Sequence, residues 1–309
     1  MGARRLGTYG QWVMATTLAV GLALPSVVEA AAYDISLRGV GRPLSNTATD
    51  PAVRRYRSLG TELAAVMAPR PWAPAETLGL NGFEFAFVST TVPINYSQDY
   101  WLGQPGTPVI EGVASGESGV PQIVWLPTVH VRKGLPMSTE VGFTGTYMAR
   151  SELFMLGAEF KIALHESFFR WVPALATRFS ASRLFGSNDI DIVAGELDIL
   201  ASLPIGLMKS ATLTPYLGYG LLFVHLNSQI IDQTPYSVTN VDDQRGGTTG
   251  SLYNFPTINW FENNHGRLVF GARLGVAFFE LGVEFDYVMM SDPQPADIFS
   301  ISTKLGFDV

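Results

Sequence analysis

The sequence predicts an all-β chain: a closed antiparallel transmembrane β-barrel of about ten strands with a short N-terminal helical segment. Three observations predict it. Charged residues make up only 15% of the 309 residues while 47% are hydrophobic, whereas a soluble domain carries roughly a quarter charged. Beyond the N-terminus there is no apolar run of about 18 residues from which a membrane helix could form. Instead, apolar side chains recur at every second position over segments of about ten residues, the length and period of a membrane strand.

Ten such segments follow one another. Residues 83–92 place Phe83, Phe85 and Phe87 opposite Glu84 and Ala86. Residues 122–132 place Ile123, Trp125, Val129 and Val131 opposite Gln122, Thr128, His130 and Arg132. Residues 137–148 set Val141, Phe143 and Tyr147 against Glu140, Thr144 and Thr146, and 154–165 set Leu156, Phe160 and Ile162 against Glu159 and Lys161. The stretch 171–183 alternates less cleanly, with Trp171, Leu175 and Phe179 opposite Arg178 and Ser180. Segments 191–205 (Val193, Leu197, Ile199 against Glu196, Asp198) and 212–225 (Leu217, Tyr219, Phe223 against Tyr216, Gly218, Gly220) continue the series. So do 267–277 (Leu268, Phe270 against Arg273), 279–288 (Leu281, Phe285, Tyr287 against Glu280, Glu284, Asp286) and 298–309. A count of eight or twelve is the alternative.

The connections provide a second test. With both termini on one side, the long connections 93–121 and 226–266 fall at the same end, together with 149–153, 184–190 and 289–297. The short turns 133–136, 166–170, 206–211 and Ala277-Phe278 fall at the other. That is the asymmetry expected of a membrane barrel with short periplasmic turns. The long connections are polar and suit solvated loops.

The N-terminus reads as a secretory signal peptide over residues 1–30. Arg4 and Arg5 precede the apolar run Val13–Leu24, Pro25 breaks it, and Ala30 is the small residue at the cleavage site. Residues 31–80 form an N-terminal coil and helix. Asp50 and Pro51 suit the N-cap and first helical position. Val53, Tyr56, Leu59, Leu63, Val66 and Met67 define one apolar face, and Pro69, Pro71 and Pro74 end the helix. This segment is expected to act as a plug or as a periplasmic segment. In a plug, Arg54, Arg55 and Arg57 would offset acidic charge in the lumen. Residues 81–309 make up the barrel.

The polar faces converge on one lumen. Its expected lining is Glu84, Arg132, Glu140, Glu159, Lys161, Arg178, Glu196, Asp198, Tyr216, Arg273, Glu280, Glu284, Asp286 and Lys304. Two readings compete: a selective pathway, or an ion-pair network that fills and stiffens a narrow barrel. Trp125, Tyr147, Trp171, Tyr219, Tyr287 and Phe307 are candidates for an interfacial aromatic girdle. Cysteine is absent and net charge is −7, which excludes disulfides and thiolate zinc sites and disfavours nucleic acid as a partner. Asp189, Asp191, Asp242 and Asp243 lie near the long-loop side, but their spacing matches no calcium loop. No cofactor and no metal site is expected.

The last segment runs Phe299-Ser300-Ile301-Ser302-Thr303-Lys304-Leu305-Gly306-Phe307-Asp308-Val309. Its alternation through Phe299, Ile301, Leu305, Phe307 and Val309 resembles the terminal sorting strand of bacterial outer-membrane β-barrel proteins, although Val309 stands where a Phe is usual. Thr214-Pro215-Tyr216-Leu217-Gly218-Tyr219-Gly220 also resembles strands of small Gram-negative barrels. The resemblance covers roughly residues 80–309 and implies integral residence in the outer membrane. The implied partners are outer-membrane lipid, lipopolysaccharide and the barrel-assembly machinery. The function expected first is a narrow or gated, porin-like channel or transporter for small solutes. The alternative is a non-conducting structural or surface-interaction barrel acting through its outer loops. A lipid-modifying enzyme is the third reading. It rests on His165-Glu166-Ser167, whose His-x-Ser spacing resembles lipid A deacylases, but no orienting acid is evident. Glu84 and Glu140 could be posed as an acid/base pair only in the way any charged lumen offers one. The chain is therefore expected not to be an enzyme.

Overall fold

The computed structural model describes residues 34–104, 107, 109–110, 119–165, 173–208, 210–232, 252–290 and 295–308. The signal-peptide expectation, Trp171 and Val309 lie outside them. Ten long strands form the wall: β1 (Phe83–Pro93), β2 (Ile123–Leu135), β3 (Thr139–Tyr147), β4 (Phe154–His165), β5 (Ala174–Phe185), β6 (Ile190–Ser202), β7 (Ala211–Ser228), β8 (Asn264–Val276), β9 (Phe279–Met289) and β10 (Ile298–Asp308). Each pairs antiparallel with its sequence neighbours. The ring closes where β10 meets β1, with Glu84 opposite Asp308 and Thr91 opposite Ile301. A closed sheet leaves no unpaired edge, the condition for placing backbone in lipid. One extra short strand, Ile205–Met208, folds back on the start of β7.

The expected segments match the observed strands within a few residues, and their connections divide as expected. At the turn end are the links 136–138, 166–173, 203–210 and 277–278; at the loop end are 94–122, 148–153, 186–189, 229–263 and 290–297. The alternating positions also divide cleanly. Phe87, Ile123, Trp125, Phe143, Leu156, Phe179, Ile199, Leu217, Phe270, Leu281 and Leu305 stand on the outer surface, each at least 40% exposed. So wide an apolar surface has no place in water.

Helix α1 occupies Pro51–Met67. Asp50 caps it through one carboxylate oxygen that accepts the Ala52 and Val53 N–H groups, and the other accepts those of Leu44 and Ser45. The face carrying Val53, Tyr56, Leu59, Leu63, Val66 and Met67 is buried. It packs within the loop-end mouth of the barrel. The chain enters β1 at the turn end, yet α1 sits in the opposite mouth. Thr61 bonds to Asn263, and Gly60 lies so close to Leu226 and Ile190 that a Cβ there would come within 3 Å of Leu226. The physical reason is a second apolar surface. At the loop end the inward positions are Val92, Val124, Leu126, Ile190, Ile192, Leu222, Val224 and Leu226, all buried with α1 in one cluster. The helix therefore finds a soluble-type core inside the mouth.

From Ala68 the chain runs back along the lumen to the start of β1. Arg70 reaches Asp286, Ala75 reaches Ser202, Leu78 reaches Glu140, and the carbonyl of Gly82 accepts the Gly134 N–H. This thread, residues 68–82, passes so near β2 that a Cβ on Gly134 would lie 1.8 Å from the Gly79 carbonyl oxygen. Gly134→Val is therefore expected to push the thread off the wall while leaving the barrel closed. Heat-modifiable gel migration would remain folded while protease cutting within 68–82 rises. Unchanged protection would show that the thread does not depend on this contact.

Candidate functional site

The site is the lumen, and it assembles from the wall inward. Near the turn end Arg132 lies between Glu84 and Glu140, at 2.8 Å from the latter. Lys304 bridges Glu84 at 2.8 Å and Glu280 at 2.7 Å, and Lys161 meets Glu140 at 3.1 Å. Higher in the lumen Arg178 contacts Glu159 at 2.6 Å, Asp198 at 2.5 Å and Glu196 at 3.1 Å. Arg267 pairs with Glu196 and with Asp286 at 2.8 Å. Tyr216 donates to Glu284 at 2.8 Å, and His130 pairs with Glu159 at 2.9 Å.

Thirteen of the expected lining residues are buried on the inner face: Glu84, Arg132, Glu140, Glu159, Lys161, Arg178, Glu196, Asp198, Tyr216, Glu280, Glu284, Asp286 and Lys304. Arg273 is half-buried and pairs with Glu76 and Glu280. Arg267 was missed although it continues the inward row Arg273, Gly271, Val269. Arg54, Arg55 and Arg57 require a correction: none joins the lumen network. Arg54 is exposed, Arg55 donates to the Val40 carbonyl and pairs with Asp99, and Arg57 donates to the Glu262 carbonyl. They lie on the exposed half of α1. The cation that enters from the N-terminal segment is Arg70, at 2.6 Å from Asp286 and 3.0 Å from Ser300.

The thread is held mainly through its backbone. Lys304 donates to the Trp72 carbonyl at 3.0 Å, and Lys161 donates to those of Pro74 and Glu76. Arg267 donates to the Pro69 carbonyl at 3.2 Å. The Trp72, Ala75 and Leu78 N–H groups donate to Glu284, Ser202 and Glu140. Trp72 adopts a left-handed backbone, φ 44°. Such strain persists where the surroundings over-determine it. Here both its backbone groups are bonded and its ring packs edge-on to His130 at 5.4 Å.

Above the thread, Glu62 of α1 is wholly buried. It accepts the Asn95 N–H at 2.7 Å, the Asn95 side-chain amide at 3.3 Å and the Tyr100 hydroxyl at 2.6 Å. Tyr100 belongs to α2, a single turn at Asp99–Leu102. Burial raises the Glu62 carboxyl above the ordinary carboxylate range, and these hydrogen bonds only partly oppose it.

Other expected sites fall as follows. His165 ends β4 at the turn end; Glu166 and Ser167 lie outside the described residues. Asp189 accepts Ser36 Oγ and Leu37 N–H, Asp191 pairs with Arg183, and Asp242 and Asp243 lie outside the described residues. Glu84, Glu280 and Asp308 could bring ligand atoms within 4.8 Å of one another, but the Lys304 ammonium already bridges two of them. A polar cavity of about 380 Å³ opens beside them, lined by Ser210, Thr212, Arg273, Glu280 and Asp308. Phe299, Ile301 and Leu305 of β10 face outward, and Phe307 pairs with Phe279 and Phe85. Trp125, Tyr147 and Tyr287 are exposed toward the loop end, while Tyr219 sits mid-strand.

No family model and no curated protein matches the chain. Its solved structural neighbours are bacterial outer-membrane β-barrels. The N-terminal barrel domain of Pseudomonas aeruginosa OprF shares 11% identity at a TM-score of 0.30, covering 75% of this chain and 99% of that one. The attachment invasion locus protein Ail of Yersinia pestis shares 9% at 0.28, covering 74% and 99%. The KdgM porin shares 4% at 0.30, covering 72% and 98%. At such scores these neighbours add nothing to what the strand pairing establishes.

Two predictions follow from the geometry. Arg178→Met leaves three buried carboxylates facing one another, so it should cost about 3–5 kcal/mol of stability, whereas Arg183→Met on the exposed surface should cost under about 1 kcal/mol. Urea unfolding in detergent measures both; equal effects would show that the lumen network is not energetically coupled. The raised carboxyl of Glu62 means that the folded state holds its proton to higher pH than the unfolded state. Its contribution is therefore greatest at acid pH and is lost as pH rises through the folded value. The urea midpoint of the native protein should fall more between pH 4.5 and 8 than that of Glu62→Gln. Parallel curves would exclude a titrating Glu62.

Proposed function

We propose that this protein is an integral outer-membrane β-barrel, exported through residues 1–30, with its long connections outside. We read it as closed at rest and acting through its loop-end face, a surface-interaction barrel rather than an open pore. The apolar outer surface supports the membrane setting, because only lipid accepts it. The observation that carries the closed state is the thread. Residues 68–82 occupy the lumen and are bonded to strands on several sides of the ring. The apolar cap formed by α1 seals the mouth above it.

A second reading is favoured by one feature: beneath the cap the wall is lined by charge over most of the ring. Such a lining would serve a gated path for small solutes once the thread moved aside. Planar-bilayer recording separates the two. The chain lacks cysteine, so an Ala75→Cys/Ser202→Cys pair can be joined by a short bis-maleimide without side reactions. The intact protein and the crosslinked variant are both expected to be silent. Stepwise conductance in the intact protein that vanishes on crosslinking would overturn the closed reading in favour of the gated one.

A further inference from the structure

The connection into β8 carries an insertion that leaves the sheet. Ile258 exchanges both backbone hydrogen bonds with Leu226 of β7, each at 3.0 Å, and the Asn263 carbonyl accepts the Val224 N–H at 2.9 Å. Only His225 separates those two positions on β7, yet residues 259–262 intervene on the facing chain. The surplus loops out as a bulge. It is a built feature, a 3-10 turn at Trp260–Glu262 closed at Asn259 by a reciprocal capping box.

The bulge folds onto the outside of the barrel. Gly195 of β6 faces outward, between the buried, inward Ala194 and Glu196. A Cβ there would lie 3.1 Å from the Trp260 ring. Trp260 stacks on His225 at 5.7 Å, and Phe261 meets Phe223 edge-on at 6.2 Å. Gly195 is opposite Phe223, and Val193 is opposite His225. These rungs mark a boundary. Toward the turn end the outward rows are apolar, with Ile199 and Leu197 on β6 and Leu217, Tyr219 and Leu221 on β7. Toward the loop end they turn polar, with Asp191 opposite Asn227 and paired to the exposed Arg183 at 3.0 Å. Trp260 lies across this boundary. Phe261 beside it is 85% exposed, more than any other aromatic among the described residues.

The same segment is tied to the cap. Asn263 is buried and its side-chain amide donates to Thr61 Oγ1 at 2.8 Å, while the Glu262 carbonyl accepts Arg57 of α1. One short stretch of chain thus has its aromatic rings outside the wall and its polar end on the helix inside the mouth.

We propose that Trp260 and Phe261 form a wedge docked in the lipid leaflet at the loop end, and that this contact retains α1 in the mouth. The proposal rests on the reading of the barrel as a membrane protein. Lipid is the occupant because the wedge continues the lipid-facing wall without a break. Aromatic rings at the level where such a wall turns polar match the membrane–water interface.

The chain lacks cysteine, so nitroxide labels can be placed singly at Phe261→Cys, at Leu281→Cys on the outer wall and at Leu44→Cys on the cap. In phosphatidylcholine vesicles, power saturation compares collisions with oxygen, which partitions into lipid, and with a water-soluble nickel chelate. Labels at 261 and 281 are expected to favour oxygen, and the label at 44 the chelate. F261S should speed hydrogen exchange across α1 about tenfold, whereas L281S should leave it unchanged. Asn263→Ala, which cuts the tie to the helix, should match F261S, and the double variant should exceed neither. A label at 261 that favours the chelate while 281 favours oxygen would overturn the wedge, as would shielding of 261 from both reagents, which would mean that a second protein copy covers it. Unchanged α1 exchange in F261S would overturn the coupling. If 281 itself favours the chelate, the membrane reading falls and the proposal with it.

Discussion

The constraint on which the structure depends is that peptide groups drawn into a closed barrel must find partners there. A strand satisfies its neighbours through the sheet, but a single extended segment in a lumen has no ladder. The thread at 68–82 meets this in two ways. Pro69, Pro71 and Pro74 remove three N–H donors from the requirement and hold the backbone extended. Four of its carbonyls are met by wall cations: Arg267 at Pro69, Lys304 at Trp72, Lys161 at Pro74 and Glu76. The carboxylates then serve both those cations and the thread's surviving N–H groups. The wall charges and the thread are thus two halves of one hydrogen-bonding problem.

The cap obeys a different rule. Where α1 enters the mouth, the inward rows change from charged to apolar, and helix and wall bury one another as in a soluble core. Glu62 is the exception, a carboxylate inside that core held by Asn95 and Tyr100. The buried polar group is satisfied by a specific loop, so it fixes where that loop lies. The same helix presents its arginines outward because its apolar stripe is fully occupied within. Burial on one side and charge on the other are consequences of a single amphipathic pattern.

This explains what could be read from sequence. The ten strands and the side of each long connection were legible because alternation has a period of two and a slip of one residue would invert every face. The lower lumen was legible for the same reason, down to Lys161 and Asp286. The cap was not, because stretches such as Leu221-Leu222-Phe223-Val224 are apolar on both faces and carry no alternation to interpret. The destination of α1 was equally hidden: periodicity shows that a face is buried, not against what. Arg70 escaped notice among prolines that were read only as a helix stop. Those prolines do end α1, but they also begin a lumen-filling segment, and nothing local in sequence distinguishes the two.

Burying so many ion pairs is a poor way to gain stability, since well-packed apolar residues of similar volume do as well or better. An apolar lumen would, however, leave the thread's carbonyls without donors, at a desolvation cost for each. The charges are therefore best understood as complementary to a particular peptide segment. That makes the network specific without making it permanent. Each lumen cation that bonds the thread also has carboxylate partners on the wall, as Lys304 has Glu84 and Glu280 and Lys161 has Glu140. Those pairs would remain if the thread withdrew. The wall would thus keep most of its ion pairs without the segment, losing chiefly Arg70 at Asp286 and Glu76 at Arg273, while the mouth is filled by the apolar packing of α1.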